Sequence, residues 1–235
     1  PALSLNLPTL EIKVETINGQ APNASGSVTL KGGSVVTVKG YIAKAGNKQT
    51  DYKGLLTATV RDTKELITCK QQEETSTSAF QYYDRQKVLY NGTDSIKNGE
   101  FTFTFAVPRD INYTAGTGLI NLFAINDNHT LMAQGHEEGF TIDGSEIVYN
   151  DSIGPSIYAY LNSPSFINGG EVNSTPYFYA QITDKDGINA SGNGIGHDIQ
   201  LTIDGKLTQT YILNDNFRYD FGSYTSGATG FSLPE

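Results

Sequence analysis

Phe101-Thr102-Phe103-Thr104-Phe105 alternates apolar and polar side chains without a break, and Pro108 stops it soon after. A period of two gathers every second side chain on one face of an extended chain, so this run buries its phenylalanines together only as a strand. The same period recurs along the chain. Ile12-Lys13-Val14-Glu15 alternates before a turn at Asn18-Gly19. Val36, Val38, Tyr41 and Ile42 follow, and Gly54 to Arg61 carries Leu56, Ala58 and Val60 on one face. Leu66 to Cys69 reads as a partner for that strand. Phe80 to Tyr90 is a tyrosine-rich strand region ended by Asn91-Gly92, and Leu119 to Ile125 and Gly139 to Ile142 complete the set. Short strands separated by turn signals are the pattern of a β-sandwich, and no sustained 3.6 period competes with it in residues 1–147.

A boundary falls at Asn150-Asp151-Ser152-Ile153-Gly154-Pro155, where Gly-Pro breaks structure and Ile157-Tyr158-Ala159-Tyr160 starts a new strand. Strands are expected at Tyr177 to Ile182, Ile199 to Ile203, Gln209 to Leu213 and Phe217 to Phe221, with another opening at Phe231. The fold class expected is all-β: two tandem immunoglobulin-like β-sandwich domains, 1–150 and 151–235. The second is short of the roughly seven strands such a sandwich needs. It is therefore expected to be truncated, with an uncovered edge that invites pairing.

Charge narrows the partners. The 235 residues carry a net charge of −9, with 13 Lys/Arg against 16 Asp/Glu in 1–150 and 3 against 9 in 151–235. Phosphate contacts need a basic face, so nucleic acid is not an expected partner. No apolar run approaches the ~20 residues of a membrane span, and no membrane insertion is expected. The chain starts at Pro1 and holds one Met, Met132, so it reads as a piece of a longer protein. Charged residues are only 17%, and Cys69 is the one cysteine, which excludes an internal disulfide. This composition points to an exported bacterial domain stabilised by core area rather than by staples.

No catalytic constellation emerges. Cys69 sits in a strand-like segment, and its nearest histidine in sequence is His129; a thiol nucleophile needs a base and an electropositive setting. His129, His136 and His197 lack the two-histidine helical spacing of a zinc site. Asp184-Lys185-Asp186-Gly187-Ile188-Asn189 fails as an EF-hand, with Gly187 at loop position 4 and Ile195 at position 12. Asp184 and Asp186, with a carbonyl, remain candidate calcium ligands between the two domains, against the plainer reading of an Asp-Gly turn. Ser191 to Asp198, with Gly192, Gly194 and Gly196, precedes a strand rather than a helix. It is neither a dinucleotide fingerprint nor a P-loop, and reads as a shaped loop that could dock another domain. Fourteen tyrosines suggest stacking on sugar rings, although strand tyrosines more often pack half-buried in sheets. Several Asn-X-Ser/Thr triplets occur, for example at Asn112, Asn128 and Asn173; in a bacterial setting most stay unmodified.

One stretch carries a resemblance. Gly154 to Asn162, Phe166-Ile167-Asn168-Gly169-Gly170, Asn173-Ser174-Thr175-Pro176, Asp184 to Asn189 and Ser191 to Asp198 occur in the order found in the C-terminal region of the type IX secretion sortases. Those enzymes belong with the gingipain-like cysteine peptidases. Pro1-Ala2-Leu3 resembles the Gly-Asp-Pro-Ala-Leu end of their peptidase domain. The resemblance is specific over residues 154–204 and loose over 10–150. It implies an upstream peptidase domain in the same chain that cleaves a C-terminal signal from cargo and joins the cargo to lipopolysaccharide. It also implies a cell-surface, outer-membrane location and the outer-membrane β-barrel PorV as partner. None of the family's catalytic Cys or His positions has a match here. In such organisms Asp-Ser/Thr followed by an apolar residue is O-glycosylated, which marks Ser95 in Asp94-Ser95-Ile96 and Ser152 in Asp151-Ser152-Ile153. The expectation is a non-catalytic accessory region that positions or docks a parent enzyme. The alternative is a glycan-binding or adhesive surface module.

Overall fold

The computed structural model describes residues 8–23, 28–70, 79–112, 116–146, 153–192 and 198–235. The first half carries β1 (Leu10–Ile17), β2 (Thr29–Gly32), β3 (Val35–Lys44), β4 (Asn47–Lys48), β5 (Gly54–Arg61), β6 (Glu65–Thr68), β7 (Gln81–Asp84), β8 (Val88–Lys97), β9 (Glu100–Ala106), β10 (Gly116–Thr117), β11 (Leu119–Asn126), β12 (Met132–Glu137) and β13 (Thr141–Ser145). The second half carries β14 (Ser156–Leu161), β15 (Tyr177–Thr183), β16 (Gln200–Thr202), β17 (Thr210–Ile212), β18 (Arg218–Tyr219) and β19 (Ser226–Ser232). Two single 3-10 turns are the helical content of the described residues. The protein is all-β, as the alternation requires.

The Phe101–Phe105 run forms β9 with its phenylalanines inside, stacked at 6.3 and 6.1 Å between ring centroids. The Asn18-Gly19 turn is present, with φ of 50° and 77°, the left-handed pair that suits a tight hairpin. Asn98-Gly99 does the same between β8 and β9, with φ of 54° and 72°. Asn91-Gly92, in contrast, is no turn, because β8 runs straight through it. A Cβ on Gly92 would lie 2.1 Å from the Tyr90 hydroxyl, so the glycine is there to let the Tyr90 side chain fold over it.

The main sheet runs β1-β12-β11-β5-β8-β9-β3, and β3 pairs back onto β1. It closes as a seven-stranded barrel, antiparallel throughout except for β1 against β12. The first half therefore differs from the pair of stacked open sheets expected from the sequence. The reason lies in β1, which is bulged between Val14 and Thr16 and pairs on both of its sides, leaving no edge. Gly135 permits the last join, since a Cβ there would sit 2.2 Å from the Ile12 carbonyl oxygen. Leu66–Thr68 does not partner β5. It pairs with Gln81–Asp84 as a separate hairpin, because β5 already has β8 and β11 as neighbours. A small sheet, β10-β13-β2, lies beside the barrel.

The second half is an antiparallel sheet, β14-β15-β19-β18, with a β16-β17 hairpin. Its buried Ile182, Ile188, Phe217 and Tyr219 belong to the same apolar cluster as Phe101, Phe103, Phe105 and Tyr90 of the barrel. The two halves share one continuous core.

Candidate functional site

The place where chemistry-bearing side chains converge is the seam between the barrel and the second sheet. Tyr90, on β8, stacks against Phe105 at 5.4 Å and Phe103 at 6.0 Å, and on its other side meets Tyr219 of β18 at 5.1 Å. Phe217 abuts Tyr219 edge-on at 5.0 Å, the geometry the ring quadrupoles favour. The Tyr219 hydroxyl donates to the Ile188 carbonyl at 2.6 Å, so the one polar atom on this buried ring is satisfied. Burial holds the Tyr90 phenol up at about 12, with the Asp94 charge adding to the shift; burial raises that of Tyr219 as well. Both stay neutral at any ordinary pH.

Polar contacts run along the same seam. The Asp110 carboxylate accepts from Asn189 Nδ2 at 2.8 Å and from Ser191 Oγ at 3.2 Å. Its backbone carbonyl takes a hydrogen bond from the buried Lys87 ammonium. Gly222 N–H donates to the Thr93 carbonyl at 2.9 Å. Asp62, completely buried, accepts from the Thr63 and Asn112 amides, each at 2.7 Å. Burial pushes the Asp62 carboxyl above its ordinary range, against the opposing pull of those amides and of Lys87. Asp110 and Asp62 were not singled out from the sequence. The signal was Pro108 ending a clean strand, which put Asp110 at a strand terminus; nothing marked its partners 79 and 81 positions away.

The residues singled out from the sequence are scattered. Cys69 is half-buried beyond β6, its N–H bonded to the Phe80 carbonyl. His129 occupies a left-handed turn position with φ of 56°. His136 faces outward from β12. Asp184 uses Oδ1 to accept the Asp186 amide at 2.9 Å, as an Asx-turn does, and Asp186 pairs with Lys185 at 3.1 Å. Among the described residues no group of three or more His, Cys, Asp and Glu side chains gathers as a metal site. Ser95 is part-buried on β8, its N–H bonded to Asp94 Oδ1. Asn112 lies beside Asp62, and Asn173 bonds Asn162 and the Thr175 carbonyl. Ser152, His197, Pro1-Ala2-Leu3 and positions 193–196 of the glycine-rich loop lie outside the described residues. Ser191, where that loop begins, is the residue that bonds Asp110.

Two kinds of surface remain. A groove of about 890 Å³ crosses the outer wall of the barrel over β1, β12, β11 and β5. Phe123, 41% exposed, stands in register between Gln134 and Thr57. Asn121 stands between His136 and Thr59. Glu11 and Lys13 neutralise each other along its side at 2.8 Å. The second kind is apolar and exposed. The β6-β7 hairpin displays Leu66, Tyr82, Tyr83 and the adjoining Phe80, and β14 displays Ile157 and Tyr158 at 61% and 57% exposure.

No protein-family model matches the chain, and no curated protein matches it. Among solved structures, the crystal structure of dimeric latent PorU from Porphyromonas gingivalis is 34% identical over 99% of this chain, with a TM-score of 0.64. The match covers 22% of that chain, so the present sequence spans about a fifth of its length. The likeness runs through both halves and marks a PorU-like region. Spo0M, the sporulation control protein from Bacillus subtilis, is 12% identical over 75% of this chain and 67% of that one; at a TM-score of 0.31 it carries no argument.

Proposed function

We propose that this PorU-like region is a non-catalytic accessory body of an exported type IX secretion sortase, and that its task is to hold and dock an upstream peptidase domain. The carrying observation is the seam. Aromatic rings and the Asp110 carboxylate weld two β units into one stiff piece. A stiff piece fixes the distance and angle between what is attached at its two ends, as a flexible tether cannot. On this reading the units remain those expected from the sequence, 1–150 and 151–235. The parent acts at the cell surface, and the outer-membrane β-barrel PorV is the proposed partner.

The test is made in the parent protein. Replacing Asp110 and Tyr219 together by alanine should loosen the seam and reduce cargo attachment at the surface, while leaving cleavage of a soluble peptide intact. Unchanged attachment in the double variant, with the parent folded and exported, would refute the positioning role.

The barrel groove favours a second reading, in which the region holds a neutral sugar chain. Phe123 offers a stacking face, and Asn121, Gln134 and Thr57 offer amide and hydroxyl groups beside it. The Glu11–Lys13 pair neutralises itself along the groove, which lowers its pull on an ionic ligand. A glycan array that binds the chain, and no longer binds the Phe123→Ala variant, would support this reading; a silent array would remove it.

A further inference from the structure

A carboxyl, an amine and a carboxamide gather where β5 ends, β8 begins and β9 has just ended, and the seam accounts for only part of them. Asp62 is wholly buried and Lys87 is 7% exposed. Their neighbours in sequence, Val60, Leu89 and Ile111, are buried as well. Backbone bonds tie the group together. Asp62 N–H donates to the Lys87 carbonyl at 3.0 Å, and Asn112 N–H donates to Asp62 Oδ2 at 2.7 Å. The Lys87 ammonium rests on the Asp110 carbonyl, two residues before Asn112, and its charge acts on the Asp62 carboxyl.

The Asn112 side chain is the anomaly. Its Nδ2 is buried and has no hydrogen-bond partner. Buried donors are nearly always paired, so an orphan asks for a reason. An amide nitrogen that nothing holds is well placed to leave. The other two groups supply what its departure needs. A buried lysine is a nucleophile once it gives up its proton, and a neighbouring carboxyl can take that proton. Burial already pushes the Asp62 carboxyl above its ordinary range. A neutral acid beside a neutral amine also avoids the desolvation cost of a buried ion pair.

We propose that Lys87 and Asn112 become joined by an amide bond between Nζ and Cγ, formed by the folded chain itself, with Asp62 as the proton carrier. The Lys87 ammonium gives one proton to the Asp62 carboxylate, and the free amine adds to Asn112 Cγ. Asp62 then relays a proton from the attacking nitrogen to Nδ2, the Cγ–Nδ2 bond breaks, and ammonia leaves. One C–N bond forms and one breaks. Nothing is oxidised, no co-reactant is consumed, and Asp62 ends holding the proton it first took. Asp62 is not the acyl partner, because both its oxygens are held by amides, those of Thr63 and Asn112. The bond closes the open end of the β8–β9 hairpin, next to Asp110 and the seam. It staples a chain whose single cysteine allows no internal disulfide. This inference goes beyond the positioning role and does not depend on it.

Intact mass of the whole chain under denaturing conditions, followed by proteolysis and fragment sequencing, tests it. The unaltered chain, purified folded, should be lighter than its sequence by one ammonia. One branched peptide should carry both Lys87 and Asn112. Lys87→Arg, Asn112→Ala and Asp62→Ala should each restore the full mass. The unaltered chain decides the matter without them, so a variant that fails to fold does not rescue the idea. A full-sequence mass for the unaltered chain overturns the proposal, and so does a mass lighter by one water. An ammonia loss that maps to a cyclic imide at Asn18-Gly19 or Asn98-Gly99 overturns it, as does a Lys87→Arg variant that keeps the lower mass.

Discussion

Tyr90 and Tyr219 lie 129 positions apart in sequence and meet ring to ring at 5.1 Å, tilted by 31°. Each comes from a different half of the chain, and each is almost wholly buried. Truncating a buried aromatic costs ~3–5 kcal/mol through lost contacts and the cavity left behind. Tyr219→Ala should lose stability on that scale in urea unfolding. Tyr219→Phe keeps the ring and gives up only the hydrogen bond to Ile188, and should lose about 1 kcal/mol. If the alanine variant cost no more than the phenylalanine one, the ring would not be a structural contact.

Asp110 provides the polar counterpart. Asp110→Ala strips Asn189 and Ser191 of their acceptor, and hydrogen bonds to a charged group contribute about 1.5–3 kcal/mol each. The local consequence should be faster amide hydrogen exchange over 188–192, with the barrel strands unaffected. A double-mutant cycle with Asn189→Ala should show coupling between the two sites; additive losses would mean the contact does nothing.

Asp62 gives the pH dependence a distinctive sign. Its carboxyl is raised in the folded protein, first by burial. Above the unfolded value of ~3.9, the native protein holds a proton that the unfolded chain has released. The stabilisation linked to it is complete below that value and is lost as pH rises through the higher folded one. Asp62→Asn does not titrate there. The stability of the unaltered protein minus that of the Asn variant should therefore fall as pH rises through this window. A difference that stays flat, or grows with pH, would contradict the shift.

Barrel closure can be checked at Gly135. A methyl group there would be driven into the Ile12 carbonyl at the β1-β12 join. Overpacking of this kind costs ~1–3 kcal/mol. Gly135→Ala should lose at least that much, with hydrogen-exchange protection falling first at Leu10 and Glu11. Gly144→Ala, where the added Cβ meets nothing within 4 Å, controls for a general glycine effect, although its φ of 71° adds some strain of its own.

The sequence made β9 plain because Phe101, Phe103 and Phe105 obey the strand period and nothing competes. It made Tyr177–Thr183 plain for the same reason. It did not announce β19, whose Ser226-Gly227-Ala228-Thr229-Gly230 reads as loop. Those small residues are needed because a Cβ on Gly227 would fall 2.4 Å from the Phe217 ring. A local pattern cannot report a neighbour that arrives from elsewhere in the chain. Ring closure and the seam were hidden for that reason too, since both depend on contacts between distant positions. An uncovered edge was expected from the strand count, and among the described residues β14 has one side unpaired.

The claim everything else leans on is that the two halves behave as one body. Differential scanning calorimetry of the whole chain, compared with hydrogen exchange followed separately in β9 and β15, tests it most directly. One cooperative transition, with both strands losing protection at the same temperature, is the expected result. Two resolved transitions, with β15 opening while β9 stays protected, would contradict it.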